Sequence, residues 1–302
     1  SSIKNLLHLS IPIFFANLAI PLVAIVDTGL MGNLDDASYL TATSIASSLF
    51  SMIFWSFGFL RMGTVGMVAK AHGSNQYNEI VDLVIRNITF VIVISLLLIF
   101  LQHFIFNLGL QIFDLSNDTE KYFKDYFDIR IYSSFGELTI FVITGLFIGL
   151  QKTKISSVVV GFFSVTNIIF SLFFVLYFKL NVTGVALGTL VSSTLTSFIF
   201  LIYTFFELKK LTNINFDIKK IFNVKKIQNI FNINFNIFIR SVLLTFSFLF
   251  FTYLGNTISE DVVAANTILI NLVFLSAFIL DAYAFSTEGI VGYSIGSKNI
   301  TL

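Results

Sequence analysis

Ile11 to Gly32 reads IPIFFANLAIPLVAIVDTGLMG, an apolar run of spanning length that holds both prolines of the chain, Pro12 and Pro21, and one carboxylate, Asp27. An ionised carboxylate in the middle of a membrane helix costs roughly 2.5–3.5 kcal/mol on insertion scales, so it marks a functional position by default. Each proline removes a backbone donor and crowds the carbonyl one turn back, which lets the same helix bend. Asp27 also lies within two turns of the far end of its helix, so a charge decorating a helix end is the competing reading.

The rest of the chain belongs to the same solvent. Of 302 residues, 56% are apolar and only 12% charged, with a mean hydropathy of +0.89, which places the chain among integral membrane proteins. Phe, Ile, Asn and Lys are abundant, so any single one of them weighs little. Cysteine is absent and the three histidines show no metal-binding spacing, so disulfides, thiol chemistry and a metal site are not expected. No basic tract interleaved with aromatics points to nucleic acid. No loop carries a catalytic cluster, so an enzyme is not expected. The first apolar run continues at full spanning length without a small-residue cleavage site, so no cleavable signal peptide is expected.

Eight spans are predicted, at Leu6–Met31, Ser38–Gly63, Ile80–Phe106, Tyr122–Leu150, Ser156–Phe178, Thr183–Phe206, Phe235–Leu254 and Val262–Ile290. The polar stretch DLSNDTEKYFKDYFDIR, Asp114 to Arg130, reads as an outer amphipathic turn ahead of the fourth. Fourteen of the Lys and Arg residues fall in loops on one side and four on the other, which puts the N-terminus in the cytoplasm. Glu207 to Asn234 is the longest polar interruption and reads as a solvated linker on anionic lipid.

At an offset of 223 the chain weakly repeats: Gly32-Asn33 falls on Gly255-Asn256, Thr64 on Thr287, Gly66 on Gly289 and Gly73-Ser74 on Gly296-Ser297. An offset of six spans makes the two copies parallel, as in transporters built from repeats about an axis along the membrane normal. This divides the chain into a six-span lobe at 1–206, a linker at 207–234 and the opening of a second lobe at 235–302. A complete second unit needs about 150 more residues, so the chain is expected to be a fragment or truncated reading frame, with a natural eight-helix protein as the alternative.

Four carboxylates lie within apolar segments: Asp27, Glu137, Asp281 and Glu288. Asp281 and Glu288 are seven apart, on one face of a helix, and point at a shared cavity or partner. Glu137 is seven residues from Arg130 and reads as an outer-half cap or as the partner of Arg130. Asn167 and Ser171, four apart, share a face of the fifth span at about the depth of Asp27.

Three blocks carry a family resemblance: PLVAIVDTGLMGNLDD at Pro21–Asp36, FWSFGFLRMGTVGMVAKAHGS at Phe54–Ser74 and AANTILINLVFLSAFILDAYAFSTEGIVG at Ala264–Gly292. They resemble the DinF branch of the MATE (multidrug and toxic compound extrusion) family. The resemblance implies an all-α integral membrane bundle of twelve helices in two lobes. It implies a monomeric multi-pass antiporter of the bacterial inner membrane that exports organic cations and other amphipathic compounds by alternating access. The coupling ion would be H+ or Na+, with no other cofactor, and the partners are the lipid bilayer and the small-molecule cargo.

Asp27 then matches the first-helix ion or proton site, and Pro12 the hinge proline. Tyr126, Asn167 and Thr189 match polar positions of the first-lobe cavity, and Asp281 with Glu288 the acidic pair of the second lobe. Ser171 departs from the pattern, because the family usually has Asp there. A hydroxyl can hydrogen-bond but cannot hold a second charge or share a proton between carboxylates. A lipid-linked oligosaccharide flippase of the same superfamily is the competing function, and would need more cations lining its cavity to hold a pyrophosphate. A non-transporting truncated membrane protein is the third reading.

Overall fold

The computed structural model describes residues 2–34, 37–113, 115–212, 221–258 and 260–298, and every regular element among them is helical. In chain order these are α1 (Ser2–Gly32), α2 (Ala37–Ser56), α3 (Phe59–Gly73), α4 (Tyr77–Phe100), α5 (Gln102–Ile112), α6 (Asn117–Arg130), a 3₁₀ turn (Ile131–Ser133), α7 (Ser134–Gly149) and α8 (Thr153–Leu172). A π turn (Phe173–Tyr177) extends α8 and is followed by α9 (Asn181–Leu211), α10 (Val224–Ile258) and α11 (Glu260–Ser297). Short links turn the chain at Asn75 and Gln151, both with positive φ, at the ends of α3 and α7. In such turns Asn tolerates the left-handed region better than most residues.

Seven helical stretches are long and apolar enough to cross a membrane, counted over the described residues. The eighth expected span falls inside α11, part of which lies outside the described side chains. The packing is that of a protein solvated by lipid. On α9, Ser192, Ser193, Thr196 and Ser197 are buried while Phe198, Ile202 and Phe206 face outward. Without a hydrophobic drive between helices, small residues that allow close backbone approach form the interface.

α3 is the element through which this packing is organised. On one side it meets α7, where a Cβ at Gly145 would lie 2.7 Å from the Arg61 carbonyl and one at Gly149 2.8 Å from Val68 Cβ. On the other it meets α11, whose Gly292 and Gly296 face Ala69 and Lys70, while Gly73 faces Tyr293. Glycines spaced four apart on two helices thus clasp one helix from both sides.

Three expectations are corrected. The second span does not end at Gly63: a tight turn at Phe57 and Gly58 (Phe57 N–H to Phe54 O, 2.9 Å) is followed by α3, which runs on to Gly73. The stretch Asp114–Arg130 is not an outer turn but, from Asn117, the first half of the fourth span. Ser116 caps it by accepting from the Thr119 N–H (3.5 Å), and Asp118 and Glu120 sit in the positive first turn. Asp118, Glu120, Lys121, Lys124 and Asp128 are exposed, while Phe123, Tyr126, Phe127 and Arg130 are buried along one stripe. Averaged hydropathy hides such a stripe.

The linker too is shorter than expected, since α9 runs to Leu211 and α10 begins at Val224, with 213–220 outside the described residues. The repeat reappears in the element boundaries. Shifted by 223, Ser2–Gly32 falls on 225–255 and the span 37–73 falls on 260–296, beside the observed Val224–Ile258 and Glu260–Ser297.

Candidate functional site

A cavity of about 850 Å³ opens between the helices, lined from α1 by Ile20, Val23, Ala24, Asp27 and Thr28. It lies in the half of α1 away from Lys4, while the α3–α11 glycine contacts at Gly73 and Gly296 close the bundle towards the end that carries Lys70. Its wall mixes apolar and aromatic groups (Leu40, Met52, Trp55, Phe163, Phe248, Phe278) with hydroxyls of α2 and a few charges. This is the composition of a site for an amphipathic small molecule.

Asp27, Tyr126, Asn167, Thr189 and Asp281, five of the residues singled out from sequence, all line this one space. Asn167 donates through Nδ2 to Thr189 Oγ1 (3.0 Å), joining α8 to α9, and Thr189 donates back to the Val185 carbonyl (3.3 Å). Tyr126 OH meets Ser47 Oγ at 3.1 Å, joining α6 to α2. Asp27 has the Ser171 hydroxyl against it and feels the charge of Arg130, while its Oδ1 is buried with no hydrogen-bond partner among the described residues. Such an oxygen keeps its capacity to accept a hydrogen bond or a proton.

Ser171 stands behind this wall, fully buried, with its hydroxyl 3.4 Å from Asn167 Oδ1. The π turn begins two residues later, a distortion often found beside functional positions. Glu288 and Asp281 part company. Asp281 faces the cavity, whereas Glu288 lies two turns along α11, its Oε1 3.2 Å from where a Cβ of Gly66 would be. Between them the Arg61 guanidinium sits 3.9 Å over the Phe285 ring and acts on both carboxylates.

Both prolines lie within the continuous α1. Pro12 precedes Ile13, which packs with Val65, Ile148, Ala282 and Phe285. Pro21 frees the carbonyl of Asn17, whose side chain donates to the Phe278 carbonyl of α11 (3.3 Å). The bendable turn nearest the cavity is therefore the second one.

Sequence reading did not place Arg130 and Glu137 in the site. Of the two readings of Glu137, cap or partner, the structure shows the pair with Arg130, and both residues line the cavity with Asp27. Arg130 also donates to Ser133 and lies 5.2 Å from the ring centroids of Phe50 and Phe54. The available signal was the charge pattern itself, an Arg and a Glu two turns apart on a buried stripe.

The MatE family model matches residues 12–173. The chain is 28% identical over 299 residues to DNA damage-inducible protein F of Escherichia coli, which covers 99% of this chain and 65% of that protein. It is 22% identical over 245 residues to the multidrug export protein MepA of Staphylococcus saprophyticus, over 81% of this chain and 54% of that one. Its fold matches that of a multidrug resistance MATE family transporter of the MOP superfamily solved in an outward-facing conformation, with a TM-score of 0.87 at 18% identity, over 98% of this chain and 65% of the other. The chain thus spans less than two thirds of the length of these relatives. With the family model matched over more than half of its length and the fold shared almost end to end, this chain belongs to the MATE family.

Proposed function

We propose that the protein is a secondary antiporter that exports organic cations and other amphipathic compounds in exchange for H+ or Na+. The observation that carries this reading is the cavity itself: Asp27, with a donor-free carboxylate oxygen, stands in a largely apolar and aromatic space together with Tyr126, Asn167 and Thr189. Cargo and coupling ion would compete for that carboxylate. Such competition drives alternating access only if each binds the outward and inward states with different affinity. The prolines of α1 offer the two helix states, and the glycine contacts between α3 and α11 offer an end that can part.

On this reading the N-terminus is cytoplasmic, residues 1–206 form the first lobe, and Asp281 and Glu288 belong to the second. The cavity holds three carboxylates and one guanidinium, which favours a cationic cargo over the pyrophosphate of a flippase substrate. The test is transport in proteoliposomes of the full-length protein, with the pH and Na+ gradients clamped separately. Asp27→Asn should abolish gradient-driven efflux of a fluorescent cation, a fall of at least tenfold. Efflux at the wild-type rate, with the gradient dependence intact, would sink the proposal.

A further inference from the structure

The charged groups of the cavity do not balance, and the imbalance is specific. Asp281 has its own cations, Arg61 and Arg240, on the side of α3 and α10. That leaves Asp27 and Glu137 with one guanidinium between them, Arg130. Glu137 and Ser133 hold Arg130 from α7 and the 3₁₀ turn, and the rings of Phe50 and Phe54 flank it. Tyr126, one turn before Arg130 on α6, also accepts a hydrogen bond from the guanidinium and stands within the field of Asp27. Arg130 is only 9% exposed, so its charge is largely desolvated and is stabilised by a neighbouring carboxylate.

We propose that Glu137 tethers Arg130 and thereby keeps an internal cation off Asp27, so that this half of the cavity carries one uncompensated negative charge and takes one proton or one monovalent organic cation. The second acid that Ser171 lacks is supplied from α7 instead, but already neutralised by Arg130. Arg130 and Glu137 are thus specificity-determining and positioning residues for the antiport, and this inference rests on the reading of Asp27 as the coupling acid. If the tether is cut, the guanidinium swings across the cavity to Asp27 and fills the site from within. If tether and guanidinium are both neutralised, Asp27 is free again.

The experiment measures binding of tetraphenylphosphonium, a permanently monovalent cation, to the full-length protein in lipid nanodiscs at fixed pH. Glu137→Gln should weaken binding at least tenfold. Arg130→Gln/Glu137→Gln should recover it to within threefold of wild type, because the internal competitor is gone. Neutralising both members also relieves a merely structural ion pair, so the midpoint of thermal unfolding is read beside binding. The tether predicts that Glu137→Gln keeps a midpoint near wild type, because the guanidinium finds Asp27. A midpoint that falls with the single variant and recovers with the double would mark a structural pair and overturn the inference. Unchanged binding in Glu137→Gln, or a double variant as weak as the single, would overturn the inference. Asp27→Asn in the same assay separates the two ideas: wild-type binding there defeats the coupling role of Asp27, while lost binding there with unchanged Glu137→Gln defeats the tether alone.

Discussion

Ser171 shows what a single side chain does in this bundle. It is fully buried where α8 meets α9, and a Cβ at Gly188 would lie 2.5 Å from its hydroxyl and 2.7 Å from its backbone nitrogen. There is room for a hydroxyl between Asp27 and Asn167 and little for a carboxylate. Ser171→Asp should therefore place a second, crowded and unpaired charge beside Asp27. About 2–4 kcal/mol of stability should be lost, read as a lower midpoint of thermal unfolding in detergent. Ser171→Ala removes the hydroxyl's contacts with Asn167 and Asp27 and should cost only about 1–2 kcal/mol. A Ser171→Asp protein as stable as wild type would show that the α8–α9 contact yields more readily than its glycine suggests.

The helices meet through glycine, and the two kinds of glycine contact make different predictions. Gly188 belongs to the contact between α8 and α9, where it faces Ser171. Gly188→Ala should destabilise by about 1–3 kcal/mol, because the clash is with backbone as well as a hydroxyl and neither can move aside. Gly296 belongs to the contact that closes one end of the bundle, where an added Cβ would meet the Lys70 carbonyl. Gly296→Ala should hold that end ajar. The chain has no cysteine, so a single Ser297→Cys reporter gives a clean readout, and its labelling by a polar maleimide should rise severalfold in the Gly296→Ala background. Equal labelling in both backgrounds would mean that the contact does not gate access.

At the scale of the molecule, the start of α10 is tied to α4 by a buried network. Arg86, 2% exposed, donates through Nε to the Ile221 carbonyl (2.5 Å), pairs with Glu79 (3.0 Å) and reaches Asp82 (3.5 Å), while Lys226 pairs with Glu79 from the other side. Removing one member of a buried network leaves the others desolvated and unmatched, so Arg86→Ala should cost about 3–5 kcal/mol. Limited proteolysis between Leu211 and Val224 should also become faster, because the anchor at Ile221 is gone. Proteolysis at the wild-type rate would show that this segment is held by something else.

Much of this was readable from residue order. Lipid as solvent, the spans, the acid and prolines of α1, and the offset of 223 follow from hydropathy and periodicity, because a bilayer demands long apolar helices and leaves few alternatives. What residue order could not decide is which polar groups share a space. The Asp114–Arg130 stretch looked like a surface turn because its exposed charges mask a buried stripe. Asp281 and Glu288, on one helix face, are separated by Arg61 over Phe285, and only Asp281 joins the cavity. Arg130 and Glu137 were legible as a pair but not as neighbours of Asp27, which lies about a hundred residues away on another helix. The net charge of a cavity is a sum over helices distant in sequence, and only tertiary packing sets which charges enter that sum.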